Sequence, residues 1–282
     1  MRKVIDVQKM LHSGFGIPLL GFGTYKVDPA ETAHVVQQAF AVGYRHIDTA
    51  QMYGNEDGVG QALVESGLPR QHVFITTKLD NPNHEPDRIV SSFGESLRKL
   101  RTDYVDLFLM HWPLPMHYEG RFAQTFAAME ELVGSGQVRS VGVSNFQVSH
   151  LEQLVDAGTG VPVINQIEIH PYFQNREVVA YCQAAGIVVE AWSPLGRGKD
   201  LADPVIRQIA AKHAATPAQV VLAWHRAEGF VAIPKASSLA RQRENFDSLN
   251  VVLDAGDVDA IRGLDRGESG RMGPHPDVFA KM

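Results

Sequence analysis

Four residues of types that exchange or steer protons stand at or just after the ends of short apolar runs. Asp48 closes the strand-like HIDTA, Tyr53 follows in the turn QMYGNE, Lys78 closes VFITTK and His111 closes YVDLFLMH. A phenol with an ordinary pKa of ~10 is a poor acid at neutral pH, but an ammonium ~4 Å away at an effective dielectric of ~20 favours its anion by ~4 kcal/mol, at most about three pKa units. A carboxylate beside that lysine would keep it charged, because a buried ammonium without a partner tends to lose its proton. On this reading Asp48 orients Lys78, Lys78 tunes Tyr53 as a proton donor, and His111 hydrogen-bonds and aligns a substrate carbonyl oxygen. A proton donor with no nucleophile beside it needs an external reductant. Singly, each residue has an ordinary reading: Asp48 as a cap, Tyr53 as a loop aromatic, Lys78 as a surface charge, His111 as a satisfied core histidine. Together they favour chemistry, since all four share one predicted face and Lys78 interrupts an apolar strand where a solvated lysine is unexpected.

The elements that must bring them together repeat along the chain. Strand-like runs (LLGFG, HIDTA, VFITTKL, YVDLFLMH, VRSVGVSN, VPVINQIEI, IVVEAWSP, FVAIPK) are separated by stretches with helical spacing such as AETAHVVQQAFAVG, DRIVSSFGESLRKL, FAQTFAAMEELVGSG and HLEQLVDAG. Continuous apolar strands alternating with amphipathic helices indicate a parallel sheet covered by helices. About eight such units suit a closed (β/α)8 TIM barrel, with an open doubly wound sheet as the alternative, and barrels gather catalytic groups at the C-terminal ends of their strands. Ahead of the first unit, VIDVQKMLHSGFGIPLL reads as a β-hairpin placed to plug the barrel's N-terminal end. After the last strand, SSLARQRENF and AGDVDAIRGL read as helices and GESGRMGPHPDVFAKM as an irregular tail. Without a long linker or repeat, residues 1–282 read as one domain.

Composition narrows the partners. With 282 residues, 44% of them apolar, the chain is long enough for a proper core. Lys plus Arg number 26 against 32 Asp plus Glu, a net charge of -6 that argues against attraction to nucleic acid or an anionic membrane and leaves small molecules as partners. The single cysteine, Cys182, forms no internal disulfide and fits a reducing cytoplasm as a small buried side chain. MRKVIDVQKML lacks the apolar centre of a signal peptide, and no segment reaches the ~20 apolar residues a spanning helix requires.

HIDTAQMYGNE, TTKL, LMHWP, VGVSNF, NQIEIHP, SPLGRG and IPKASSLARQRENF together, in this order over nearly the whole chain, resemble the aldo-keto reductases. Within that family YRHIDTA, the compact stretch between LMHWP and VGVSNF, and the tail GRMGPHPD are most similar to short bacterial members like 2,5-diketo-D-gluconate reductase. The resemblance implies a (β/α)8 barrel, a monomer, NADPH-dependent carbonyl reduction and a tetrad of Asp48, Tyr53, Lys78 and His111 with Tyr53 as general acid. It further implies that Ser144, Asn145 and Gln166 hydrogen-bond the nicotinamide amide and that Trp192 stacks on its ring. No Gly-x-Gly-x-x-Gly fingerprint or Walker loop occurs. Instead Ser193, Leu195 and Gly196 match the family's pyrophosphate loop, and Lys235, Ser237, Ser238 and Arg241 surround a helix start whose dipole suits the 2'-phosphate of NADPH. One of the two serines also suits a helix cap. Glu244 and Asn245 match adenine contacts.

Two positions depart from the family pattern. Ala236 stands where many relatives carry a serine beside the 2'-phosphate, and Asp80 where many carry a pocket tryptophan. Tyr25, Trp112 and Phe126 are candidate pocket walls, with the tail around His275 and Phe279 over the mouth. Two other classes compete. A zinc-dependent barrel hydrolase would use strand-end histidines such as His111 and His170, but His-x-His at the first strand unit and His-Glu-x-x-His are missing and Lys78 would repel a cation, so no metal is expected. A non-catalytic nucleotide binder would have no need of a tuned phenol.

Overall fold

The computed structural model describes residues 7–282; residues 4–6 of the expected hairpin lie outside them. β1 (Gln8–Met10) pairs antiparallel with β2 (Gly16–Pro18). Eight strands follow: β3 (Phe22–Gly23), β4 (His46–Asp48), β5 (Phe74–Leu79), β6 (Leu107–Met110), β7 (Val141–Ser144), β8 (Ile164–Glu168), β9 (Val188–Trp192) and β10 (Val231–Ala232). They pair in parallel in chain order. The ring closes where Gly21 N–H donates to the Ala232 carbonyl and Ala232 N–H to the Leu19 carbonyl, both at 2.9 Å. A doubly wound sheet is excluded, because it reverses its strand order at a switch point and keeps two open edges.

Parallel neighbours need long crossovers, and helices supply them: α1 (Thr32–Val42), α2 (Glu56–Glu65), α3 (Pro86–Leu100), α4 (Phe122–Glu131), α5 (Val148–Asp156) and α6 (Arg176–Ala184). Two helices, α7 (Pro204–Lys212) and α8 (Pro217–Ala227), lie between β9 and β10, while α9 (Leu239–Asp247) and α10 (Ala255–Arg262) follow the last strand. Their apolar stripes face the strands: α3 buries Ile89, Phe93, Leu97 and Leu100, a spacing of three to four residues. α8 starts where the spacing and turn chemistry demand, with Thr216 and Gln219 forming a reciprocal capping box around Pro217. No helix among the described residues is long and apolar enough to cross a membrane.

The main core fills the layer between strands and helices. A second cluster sits inside the barrel at its N-terminal end, where Leu11 and Ile17 of the hairpin pack with Phe74, Leu107, Leu109, Ile164, Val188 and Val231. Burying each such side chain stabilises the fold by ~1.5–3 kcal/mol, so the hairpin closes that end with an apolar plug. The opposite end is left to polar side chains.

Candidate active site

The two-residue period of the strands sorts side chains between barrel and helices. Along β5, Phe74, Thr76 and Lys78 point inward, while Ile75 and Leu79 enter the outer core and the Thr77 hydroxyl donates to Glu56 of α2 at 2.6 Å. The same alternation turns Asp48 of β4, Ser144 of β7, Gln166 of β8 and Trp192 of β9 toward the axis, and His111 follows immediately after β6. Lys78 lies one residue inside its strand and Gln166 two, rather than at the tips the sequence suggests. The residues nonetheless meet, because register places Asp48 beside Thr76 and Lys78 beside Leu109.

Lys78 has no exposed surface. Its Nζ donates to Asp48 Oδ1 at 2.6 Å, to the Thr49 carbonyl at 2.9 Å and to the Tyr53 hydroxyl at 3.3 Å. Tyr53 sits on a short 3-10 turn, Gln51–Tyr53, closed by Gly54 with φ of 66°, a conformation glycine adopts without strain. Its ring meets His111 edge-on at 5.7 Å between centroids and Tyr25 at 5.1 Å. The expected tetrad therefore forms one cluster at the open end.

The electrostatics differ from expectation in one respect. Burial opposes the Lys78 ammonium, but Asp48 and Tyr53 outweigh it and its pKa is raised. Tyr53 does not become more acidic than a free phenol: burial pushes it up to about 12, with Lys78 pulling down and Asp48 opposing the lysine. The physical reason is that Asp48 neutralises most of the ammonium's field while desolvation acts undiminished on the phenolate. Tyr53 is thus held protonated. Burial, and next Lys78, lower the His111 imidazole well below its ordinary value, so it is neutral with one N–H to donate. Its Nδ1 is buried without a hydrogen-bond partner.

Around this cluster lies a row of amides. Gln166 Nε2 donates to Asp48 Oδ2 and to Glu190 Oε2, both at 2.8 Å. Asn145, at φ of 65°, donates through Nδ2 to the His111 carbonyl at 2.9 Å and to Ser144 Oγ at 3.1 Å, and its Oδ1 accepts from Trp192 Nε1 at 2.8 Å. The Ser144 hydroxyl donates to the Gln166 carbonyl at 2.8 Å. Beyond β9, Ser193 and Gly196 take φ of 50° and 55°, with Leu195 between them; the loop is braced from below by His225 Nε2, 3.0 Å from the Pro194 carbonyl. A Cβ on Gly196 would collide with the Asp200 carboxylate, so only glycine fits. Lys235, Ser237 and Arg241 are exposed around the start of α9, and Ser238 caps that helix by accepting from Arg241 N–H at 3.4 Å. Among the described residues neither Lys235 nor Arg241 is ion-paired. Glu244 is half-buried and Asn245 buried on the same helix.

One expectation is corrected. Phe126 has no exposed surface and packs from α4 into the layer between helices and strands, so it does not wall the mouth. Its helical stripe points it at the barrel's outside, not over its end. Ala236 is buried against the same core, whereas Lys235 and Ser237 on either side are exposed. The mouth is lined by Tyr25, which is 54% exposed, and by Trp112, whose indole stacks on Phe279 of the tail at 4.0 Å. The tail crosses further through Asn81 Nδ2 to the Lys281 carbonyl at 2.7 Å, while His275 lies to one side beside Asp277. Asp80 N–H is held by Gln51 Oε1 at 2.9 Å.

Sequence reasoning missed Glu190 and the two carboxylates that hold His170, Glu168 and Asp200. Glu190 interrupts VVEAW as Lys78 interrupts FITTKL, so the same signal would have found it. His170 is structural, its ring nitrogens 3.2 Å from Glu168 Oε1 and 2.7 Å from Asp200 Oδ2, and Glu168 in turn accepts the Met272 and Gly273 amides of the tail at 2.8 Å. Among the described residues no group of three or more His, Cys, Asp or Glu is arranged to hold a metal ion. Cys182 is buried, and burial pushes its thiol up to about 11.

The model of the aldo/keto reductase family matches residues 14–266. Methylglyoxal reductase DkgA of Escherichia coli K12 is 44% identical over 273 residues, covering 95% of this chain and 96% of its own. Glyoxal reductase of Bacillus subtilis 168 is 42% identical over 268 residues, covering 95% of each. Among solved structures, a mutant of Gox0644 in complex with NADPH is 43% identical, superposes with a TM-score of 0.92, and covers 97% of this chain and 98% of its own.

Proposed function

Since the chain belongs to the aldo/keto reductase family, we propose that it reduces small aldehydes, ketones or dicarbonyls to alcohols with NADPH, and that Tyr53 is the general acid. The observation that carries this reading is the unbroken sequence of contacts from Asp48 to Lys78 to Tyr53, 2.6 and 3.3 Å long, beside His111 at the open end of the barrel. Short α-dicarbonyls are the favoured class, in line with the names of the relatives, and keto-sugars are the alternative. The chain is read as one barrel domain, 1–282, acting as a cytoplasmic monomer.

The donor set fits a nicotinamide dinucleotide. Gln166 has both amide hydrogens committed to carboxyl oxygens, so its carbonyl is the acceptor left for a carboxamide. Ser144 and Asn145 lie beside it, and Trp192 supplies an aromatic face. Ser193, Leu195 and Gly196 would hold the pyrophosphate, Lys235, Ser237, Ser238 and Arg241 the 2'-phosphate, and Glu244 and Asn245 the adenine. When bound, the reduced cofactor supplies the hydride. Neutral His111 donates to the substrate oxygen and orients the carbonyl against Tyr25 and Trp112. Tyr53, held protonated, passes its proton to that oxygen as negative charge develops there, and Lys78 stabilises the phenolate left behind. Asp48 keeps Lys78 in place.

Tyr53→Phe tests the assignment. Reduction of methylglyoxal should be lost while NADPH binding, followed by fluorescence, stays within about twofold, since the phenol ring is kept and the hydrogen bond removed is one to Lys78 rather than to the cofactor. Turnover equal to wild type would remove Tyr53 from the chemistry.

A further inference from the structure

Glu190 is a second acid beneath the site, and none of the steps above uses it. It stands at an inward position of β9 with no exposed surface. Its Oε2 accepts from Gln166 Nε2 at 2.8 Å, and the same nitrogen donates to Asp48 Oδ2 at 2.8 Å. An amide nitrogen has two hydrogens and its oxygen only accepts, so these contacts settle how the group is turned. Asp48 sets the sense, because an amide oxygen facing a carboxylate would be repelled. Glu190 sets the plane, since a second acceptor stops rotation about a terminal torsion that is otherwise broad.

We propose that Glu190 is a positioning residue for cofactor recognition, holding Gln166 so that its carbonyl oxygen meets the carboxamide N–H2 of the nicotinamide. This rests on the reading of Gln166 as a nicotinamide contact. The groups facing Glu190 suit the task. Gln166, Asp48 and Lys78 lie on one side, and His46 Nε2 is 3.7 Å from Oε1 on the other, itself 3.2 Å from the Thr76 hydroxyl. Burial, and next the nearby Asp48, raise the Glu190 pKa, so the acid stays neutral and adds no second charge under the catalytic pair. Since Oε2 accepts from Gln166, the proton belongs on Oε1, which faces His46 Nε2 at 3.7 Å without a hydrogen bond.

The test compares dissociation constants for NADP+ and for its 3-acetylpyridine analogue, in which a methyl replaces the carboxamide nitrogen, by quenching of protein fluorescence. Glu190→Met should weaken NADP+ about tenfold, the loss expected when one buried hydrogen-bond partner is removed, yet change the analogue by less than about twofold, because the analogue has no N–H to offer. Glu190→Gln, whose amide oxygen still accepts, should stay close to wild type. Wild-type NADP+ affinity in Glu190→Met, equal losses for both dinucleotides, or no rescue by Glu190→Gln would each overturn the proposal. Gln166→Leu separates the causes: if it too binds NADP+ normally, the proposal falls with the reading of Gln166, whereas a loss there with none in Glu190→Met sinks Glu190 alone. Should Glu190→Met not fold, NMR of the wild-type protein decides. Both Gln166 side-chain amide protons should be resolved and protected from exchange, and rapid exchange would overturn the inference.

Discussion

Replacing Lys78 by methionine keeps the length of the side chain and removes its charge. A phenolate 3.3 Å from the ammonium gains about 5 kcal/mol at an effective dielectric of ~20. Asp48 lies behind the lysine, 2.6 Å from it, so at no more than about 6 Å from the phenol it opposes by at least ~3 kcal/mol. Lys78→Met loses the whole ~5 kcal/mol while Asp48 goes on opposing, a rate loss of roughly 10³- to 10⁴-fold; the difference of about 2 kcal/mol, roughly 30-fold, is the loss when both charges are removed. The variant also leaves the Asp48 carboxylate buried with no cation, which costs about 3–5 kcal/mol of stability. The two losses separate in Asp48→Asn/Lys78→Met. With no charge left to desolvate, thermal stability should recover most of the way, and the introduced amide oxygen can still accept from Gln166, but turnover should remain about 30-fold below wild type. The assay is NADPH consumption at saturating methylglyoxal, with calorimetric melting of the same preparations. Wild-type turnover in the double variant or in Lys78→Met would refute the claim that the ammonium acts on the phenol.

Two further outcomes follow from the same geometry. Arg241→Ala at the exposed start of α9 should weaken NADPH by about 10- to 100-fold, the range for a charged hydrogen bond, and NADH by less than about twofold; equal losses in a binding titration would show that Arg241 does not read the 2'-phosphate. Acid should destabilise the fold before its carboxylates titrate. Burial lowers His46 to about 3 and His84 and His225 to about 4. Each depressed pKa contributes stability that is present above the ordinary histidine value of about 6.5 and lost as pH falls toward the folded value. His170, raised once its two carboxylates outweigh burial, acts in the opposite sense and loses its contribution above about 6.5. His111 and His150 are lowered as well, His170 contributes a constant amount below about 6.5, and the raised Glu190 opposes them in this window, so the melting temperature should fall between about pH 6.5 and 5, and a flat profile there would contradict the neutral assignments.

Much of the barrel is legible in local pattern. Each strand-like run contains its observed strand, because a buried parallel strand must be apolar on both faces, and the helical stretches end near glycines or left-handed residues such as Arg101, at φ of 52°. The tetrad is legible for a related reason: Lys78 in FITTKL is a charge where the pattern demands an apolar side chain. Glu190 in VVEAW carries the same signal, but no chemistry visible in the sequence calls for it. Phe126 shows the opposite failure. Proximity to His111 along the chain suggests a pocket wall, but the rotation of α4 turns the ring to the outer core.

Residue order by itself determines which side chains share a face, since a period of two in strands and of three to four in helices is a property of the backbone. That is enough to place Asp48, Lys78, Gln166 and Glu190 inside the ring and His111 at its rim. Only the tertiary structure decides how Gln166 is turned between two acids, how Trp192 reaches Asn145, and where the proton of Tyr53 resides. Those depend on separations between groups a hundred residues apart and on desolvation, which adds up over every neighbour at once and leaves no mark on any one stretch of chain.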